Sequence, residues 1–503
     1  MGEPLDAEGA TVGAAAVGKL LRALASSDTD VHPTPLMPDR KGPFSAELRF
    51  NKARFIGSVD FSGVQFRGPA LFDGATFLDA VDFSSTNFGD HADFDNVTFC
   101  GTVTFDQAIF EDHAGFQDAA FKRRAWFRGV RFRSHADFER ASFDEEASFE
   151  ETTFQLSRRL GPLFAEKKLV LDHCVFGERL IIDVEAEILS AQAAIFADGV
   201  RLSVRKAAIY LNEADFGRAS TLSSSMTSAV NSAATADDPE GAWRGRLITV
   251  RGAQVSRLSL SDLDLRACRF FGAHGLESLN VEPSCTWPRT PPGRRCIDRE
   301  MIAEEHQWRC EKEAQREKQR WHRRKHWSPH AADAHDWPDR RSKGEPLDPA
   351  ELAALYRALR KAREDNKDQA GAGDLYYGEM EMRRATPLPD GRGRIRASCD
   401  HAIVTAYWFL SGYGLKASRA FISWAFAILA AAFIFYKCGI SPSPTLGRAI
   451  LFSIESTSGL IRAHLPDKYS LQWAGEVVQV GLRFIGPVLI GLWLLALRAR
   501  VKR

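Results

Sequence analysis

The chain has 503 residues, too long for one ordinary hydrophobic core and of a size for two to four domains. Its 66 basic and 65 acidic residues leave a net charge of +1, which excludes a protein built wholly to coat nucleic acid. Eight cysteines (Cys100, Cys174, Cys268, Cys285, Cys296, Cys310, Cys399 and Cys438) are scattered with no CxxC, so free thiols in a reducing compartment are expected. The opening MGEPLDAEGATVGAAAVGKLL is acidic and has no unbroken apolar run. No signal peptide is expected there, and residues 1–43 read as a partly disordered N-terminal segment.

From residue 50 a single amino acid sets the pattern. Phe recurs at 50, 55, 61, 66, 72, 77, 83, 88, 94, 99, 105, 110, 116, 121, 127, 132, 138, 143, 149 and 154, in alternating steps of 5 and 6. Two residues earlier the side chain is small, as at Ala53, Val59, Val64, Ala70, Thr86, Ala92 and Thr152, with Leu48 the larger exception. Neither a helix, at 3.6 residues per turn, nor a strand, at 2, produces that spacing. Fixed self-similarity of this kind marks a solenoid.

A bulky central residue with a small one two places before it resembles the motif of the pentapeptide-repeat family. The resemblance implies an all-β, right-handed, quadrilateral β-helix over residues 44–155. With alternate pentads lengthened to hexads, a four-sided coil takes 22 residues, so Phe50, Phe72, Phe94, Phe116 and Phe138 stack in one column. Phe77 with Phe99, Phe83 with Phe105, and Phe88 with Phe110 belong to the other three, at about 4.8 Å per coil.

Past Phe154 the strict count breaks, but strand-like alternation continues in LVLDHCVF, RLIIDVEAEIL, VRLSVRKAAIYL and SRLSLSDLDLRACRF. Residues 156–284 read as an irregular continuation with wider coils, ending near Val281. Leu222 to Gly241 reads as a polar loop thrown out between coils. Residues 285–346 read as a charged linker and helix: TWPRTPPGRR, then Asp298 to Lys325, then a loop rich in Trp, His and Pro. Residues 347–385 read as a helical pair, with Leu352, Leu355, Tyr356 and Leu359 on one face of the first helix. Tyr356, Leu359, Tyr376, Tyr377, Glu379, Arg383 and Arg384 resemble a segment found between repeats and membrane part in bacterial pentapeptide-repeat membrane proteins. Members of that family are sometimes labelled membrane-associated oxidoreductases.

Residues 400–503 read as a membrane domain with two transmembrane α-helices, near 420–436 and 477–497. Basic residues precede the first span (Arg392, Arg394, Arg396, Lys416, Arg419) and follow the second (Arg498, Arg500, Lys502, Arg503). The positive-inside rule then puts both termini in the cytoplasm of a multi-pass protein of the plasma or inner membrane. Ile403 to Leu415 is apolar but too short to span and reads as an interfacial helix. Between the spans, Ser453, Glu455, Ser456, Thr457, Ser458 and Gly459 resemble the pore helix and filter entrance of two-helix potassium channels. Leu460, Ile461 and Arg462 follow where such a filter carries V-G-Y-G, so a carbonyl cage for potassium is not expected. Gly412-Tyr413-Gly414 precedes the first span and is misplaced for a filter. Arg483 lies about a turn and a half inside the second span; its plainer reading is a side chain snorkelling to the outer headgroups.

Three further constellations carry chemistry in principle. His91, His113 and His135 are 22 apart and form an outward column, more simply a duplicated surface residue than a ligand set. His306 with Cys310 and His322 with His326 have i, i+4 spacing, near Cys296, His330 and His335, yet no CxxC anchors a zinc site. Arg316 to Lys325 interleaves with Trp308, Trp321 and Trp327 and suits an anionic leaflet better than nucleic acid. No GxSxG, P-loop, HExxH or strand-to-helix GxGxxG is present.

The reading is a membrane-anchored cytoplasmic β-helical scaffold or interaction protein, not an enzyme, with no catalytic residues, metal or cofactor. Its partners are the lipid membrane and a protein the sequence does not identify; nucleic acid is not expected. The alternative is an oligomeric, channel-like or membrane-perturbing effector with a degenerate two-helix pore domain, in which further copies of the chain are the partners.

Overall fold

The computed structural model describes residues 5–19, 43–44, 47–224, 244–291, 298–319, 347–387, 394–458 and 469–501. They fall into two compact units, Met1–Gly344 and Glu345–Arg503. Of the polar loop expected from Leu222, the residues to Ser224 are strand and the rest lies outside the described residues. The Trp/His/Pro-rich loop, Cys296 and the residues from Arg320 to Lys325 lie outside them too.

The first unit is a β-solenoid of about ten turns. In the regular part each coil contributes four two-residue strands, such as Ala92–Asp93, Thr98–Phe99, Val103–Thr104 and Ile109–Phe110. Each pairs in parallel with the strand 22 residues on: Ala92 with Ala114, Thr98 with Ala120, Val103 with Ala125, Ile109 with Arg131. All twenty Phe point inward and are at most 2% exposed. Within a column the rings are near-parallel, with centroids 4.4 Å apart at Phe55–Phe77 and 5.3 Å at Phe50–Phe72. Between columns they meet edge to face, as Phe94 and Phe105 do at 5.5 Å and 84°. The small residues pack under the turns, and Thr86 and Thr152 donate their hydroxyls to Phe61 O and Phe127 O of the preceding coil.

The alternation of 5 and 6 has a backbone origin. Every eleventh residue (Lys52, Gly63, Gly74, Ser85, Asn96, Gln107, Asp118, Gly129, Arg140, Glu151) is left-handed, with φ between 56° and 68°. Each stands two after a Phe, so the pentad corners turn through a left-handed residue while the hexad corners do not. Only three of the ten are Gly, although φ > 0 carries a steric cost for the others.

Past Phe154 the coils become shorter, not wider as the sequence suggests. The strand Arg159–Val170 runs through a corner and pairs with two short strands of the coil before it. Against Leu180–Ser190 its register is Leu160 to Ile182, then Leu163 to Val184, then Lys168 to Ile188. Two one-residue slips thus take the coil from 22 residues to 20. One Phe column survives the change, with Phe154, Phe176, Phe196 and Phe216 stacked at 5.1, 5.1 and 5.4 Å.

Both ends of the shaft are covered. Leu5–Asp6 pairs with Leu48–Arg49 and Thr11–Gly13 with Arg54–Ile56, adding part of a coil before Phe50. At the far end helix α1 (Ala303–Gln319) begins against the last coils, with Met301, Ile302 and Ala303 buried. Along one column each backbone N–H donates to a carbonyl of the next coil: Ala191 N to Tyr210 O, Leu211 N to Thr249 O, Val250 N to Arg269 O. Phe270 N, next in line, donates instead to Glu304 Oε1 at 2.6 Å, and Phe271 N to the same oxygen at 3.0 Å. Burial pushes the Glu304 carboxyl above its usual range. Glu305 beside it is fully buried and held by Arg299 and Arg309.

The second unit is helical. Helices α2 (Pro349–Asp365) and α3 (Gln369–Ala385) pack together, α2 starting from an Asp348/Glu351 capping box with Pro at its first turn. Buried Glu379 is ringed by Arg357, Arg360 and Arg383. Helices α4 (Arg394–Ser411), α5 (Ala417–Ile434), α6 (Leu446–Ser458) and α7 (Trp473–Val501) complete the unit. The last turn of α5 widens into a π-helix, Phe435–Gly439. Ile440–Ser441 pairs antiparallel with Ser470–Leu471 between the two long helices.

Candidate functional site

The segment with the most chemistry is the helical hairpin and the helix inserted in it. Ala417–Gly439 and Trp473–Arg498 are each long and apolar enough to cross a membrane. Both exceed the apolar runs 420–436 and 477–497, because helical geometry continues through residues whose side chains do not add to hydropathy. Their outward faces are apolar, with Ile422, Phe426, Phe433, Val477, Phe484 and Val488 exposed.

Helix α6 packs against both α5 and α7. Ala449 and Phe452 join Ala431, Ala432, Phe435, Ile440 and Leu482 in one cluster, and Phe452 meets Phe435 edge to face at 5.0 Å. Ser453, Ser456 and Thr457 are buried, Glu455 is half-buried, Ser458 ends the helix, and Gly459 lies outside the described residues. Ser453 donates to Ala449 O and Thr457 to Ile454 O. Ser456 Oγ is buried with no partner among the described residues. The end of α6 lies directly on α7: a Cβ at Gly486 would stand 2.4 Å from Thr457 O. Only glycine allows that approach, and Pro487 follows it inside the helix.

Arg483 lies further inside its helix than its position in the apolar run suggests. Helix α7 begins at Trp473, ten residues before it, and the apolar span runs fifteen residues beyond it to Arg498. At 1.5 Å per residue Arg483 is about 4 Å from the middle of the span. Its side chain is exposed, and no ion pair to it exists among the described residues. The nearer end of α7 is about 15 Å from Arg483.

Gly412, Tyr413 and Gly414 form the joint between α4 and α5. All three are left-handed, with φ of 55°, 59° and 74°. The turn buries Tyr413, whose hydroxyl donates to Glu381 Oε1 of α3 at 3.0 Å. Burial, and then the Glu381 charge, raises the phenol above its usual range. Nearby, Trp408 Nε1 donates to Tyr377 and Arg384 lies 4.2 Å over the Trp408 ring. Tyr377 and Arg384, marked in sequence as a linker motif, thus tie α3 to α4.

On the solenoid, Phe72, Phe77, Phe83, Phe88, Phe94, Phe99, Phe105 and Phe110 all lie in the core columns. His91 and His113 stack at 5.2 Å and 28°, and burial, then His91, lowers the His113 pKa. Asp95 lies on the same face, its Oδ1 accepting from Gln117 N at 2.8 Å and sitting over Gly115. Burial pushes its carboxyl up to about 6, and no Lys or Arg occurs between Arg67 and Lys122 to oppose the shift. His306 Nδ1 and Cys310 Sγ are 3.7 Å apart on α1, while His322, His326, His330 and His335 lie outside the described residues. Among the described residues no group of three or more His, Cys, Asp or Glu could hold a metal ion.

One feature escapes the sequence reading. Along the corner of the 20-residue coils runs an open groove of about 450 Å³, lined by His173, Gln192, Asn212, Glu213, Arg251 and Phe271. His173, Ala193, Glu213, Gly252 and Gly272 carry the left-handed corner there. The 20-residue return of Phe176, Phe196 and Phe216, each after a small residue (Cys174, Ala194, Ala214), is the sequence signal that would have revealed it.

Residues 72–120 match the family model described as pentapeptide repeats (9 copies). No curated protein and no solved structure matches the chain. The match lies inside the regular shaft, and the same repeat continues on both sides of it. The chain thus carries pentapeptide repeats within a β-solenoid, followed by a helical region with two apolar helices that could span a membrane.

Proposed function

We propose that the chain is a membrane-anchored scaffold whose solenoid presents its outer faces to a protein partner, without catalytic activity. The observation that carries this reading is the filled interior: twenty stacked Phe leave no room inside the shaft for a substrate, so its outer surface is what it offers. The surface is rigid in register. Ion pairs such as Arg140–Asp118 and Arg133–Glu111 join residues 22 apart on adjacent coils. The basic flanks of α5 and α7 support cytoplasmic termini at the plasma or inner membrane.

Two native cysteines provide the test. Cys438 ends the first span and Cys399 lies in α4, and both are exposed. An impermeant maleimide on intact cells is expected to modify Cys438 and spare Cys399, and carbonate is expected to leave the protein in the membrane. Labelling of Cys399 alone would invert the topology and end the cytoplasmic reading.

A second reading, a degenerate two-helix pore, draws support from one observation. Thr457 meets α7 at Gly486, thirteen residues beyond Trp473, so α6 reaches about 20 Å along α7. A monomer in detergent would count against it, since a single hairpin cannot surround a pore.

A further inference from the structure

We infer that the joint between α4 and α5 is a binding site for a phosphate group, held by Arg384, Lys416 and Arg419. Arg384 reaches it from α3, and Lys416 and Arg419 stand at the start of α5. Arg384 Cζ lies 4.2 Å and Arg419 Cζ 5.4 Å from the centre of the Trp408 ring, so two guanidinium groups share one indole. Lys416 runs past the same corner. A Cβ at Gly412 would stand 3.0 Å from Lys416 Cγ and 3.8 Å from Arg419 Cδ, so this left-handed glycine leaves room for both stems against the turn.

The carboxylate in contact with this cluster is Glu381, and both of its oxygens are engaged. Oε1 accepts from the Tyr413 hydroxyl and Oε2 from Arg384 Nη2, each at 3.0 Å. Arg419 has no carboxylate partner among the described residues. The ring that the two arginines share is itself pinned: Trp408 Nε1 donates to the Tyr377 hydroxyl at 3.1 Å, and Tyr377 meets Tyr413 edge to face at 5.1 Å. The cations are therefore positioned before a ligand arrives. Three positive side chains against one occupied carboxylate favour an anion among them. Two guanidinium forks and an ammonium suit phosphate, whose oxygens accept from several donors at once, whereas a carboxylate fills one fork. Phe409 in α4 and Phe421 and Ile422 in the first turns of α5 are exposed, so an apolar surface adjoins the site. The phosphate is that of a phospholipid headgroup or a free ion, and its chemistry at Arg384, Lys416 and Arg419 is the same for both.

Full-length protein in neutral detergent is titrated with two probes: inorganic phosphate, and mixed micelles containing phosphatidylglycerol. One phosphate group is expected to bind per chain. Arg419→Gln should weaken binding about tenfold, while Arg419→Lys keeps most of it. Lys437→Ala removes one positive charge at the far end of the same helix and should leave binding unchanged. Circular dichroism checks that the variants fold, and Lys416→Gln carries the same expectation if Arg419→Gln does not. Tighter binding of the lipid assigns the site to a headgroup, and tighter binding of the free ion assigns it to a soluble phosphate. Failure of both probes to bind, binding that survives both Arg419→Gln and Lys416→Gln, or an equal loss in Lys437→Ala would each overturn the proposal.

Discussion

Between Leu48 and Phe154 each coil has a Phe on every side and a left-handed corner every eleventh residue. From Arg159 onward, long strands replace one corner, three Phe columns pass to the aliphatic residues Leu160, Ala165 and Leu171, and a single one of the four Phe columns remains. The hydrogen-bond ladder is continuous through both. Coil spacing is therefore a property of the backbone, while the residue count per coil depends on how the corners are made. Phe at every position is one solution, in which rings touch along and across columns. Aliphatic filling is another, in which the Phe stack continues along one column to Phe216 and the perimeter shrinks by two residues.

The largest test of that contrast is truncation within each region. Phe94→Ala removes a ring stacked on Phe72 at 5.0 Å and Phe116 at 5.1 Å, with edge contacts to Phe83, Phe88 and Phe105. It is expected to cost about 3–5 kcal/mol in denaturant unfolding. Phe196→Ala removes a ring stacked only on Phe176 and Phe216. Each aromatic pair adds about 0.5–1.5 kcal/mol beyond burial, so Phe196→Ala should be the milder by at least one such increment. Equal losses would mean that cross-column edges add nothing.

The end cap comes next in size. Glu304→Ala leaves Phe270 N–H and Phe271 N–H without their acceptor and is expected to cost about 1–3 kcal/mol. Glu304→Gln keeps a carbonyl oxygen for both and should lose less. Because burial raises the Glu304 pKa, its contribution is greatest at acidic pH and falls as the carboxyl ionises; the Gln variant should lack that slope. A slope that persists unchanged in Glu304→Gln, measured as melting temperature against pH, would place the titration elsewhere.

The smallest effect belongs to Asp95. Its carboxyl is raised from 3.8 to about 6, so folding favours the protonated form. Stability from this group is full below about pH 4 and is lost as pH rises through about 6. Asp95→Asn should therefore raise the melting temperature slightly at pH 7 and leave it unchanged at pH 4. A gain at both pH values would point to packing over Gly115 instead of charge.

Legibility in the sequence divides along the same line. The Phe columns are plain, because one residue type at every position writes the coil length directly. The 20-residue coils are obscured, since a one-residue slip within a long strand leaves no gap in hydropathy. Phe50 looks like an open end in sequence, yet Ala7 N donates to Arg49 O and Gly9 N to Asn51 O, so residues 5–13 cover it. In the second unit the Ser/Thr run of α6 is visible, but its seat on Gly486 joins residues far apart in the chain. The place of Arg483 well inside its helix is hidden because α7 begins at Trp473, before its apolar run does.

The ladder that ends at Glu304 has a consequence for the protein as a colloid. A solenoid stacks coil on coil, and an uncovered last coil offers the same row of donors to any similar edge in solution. Two shafts meeting there could continue each other, and further addition would build a filament. A carboxylate cannot donate onward, and α1, charged along its length, leaves no strand for another shaft to extend. By accepting from Phe270 and Phe271, Glu304 turns a template for polymerisation into a terminus, which keeps a protein made of one repeated coil at a finite length.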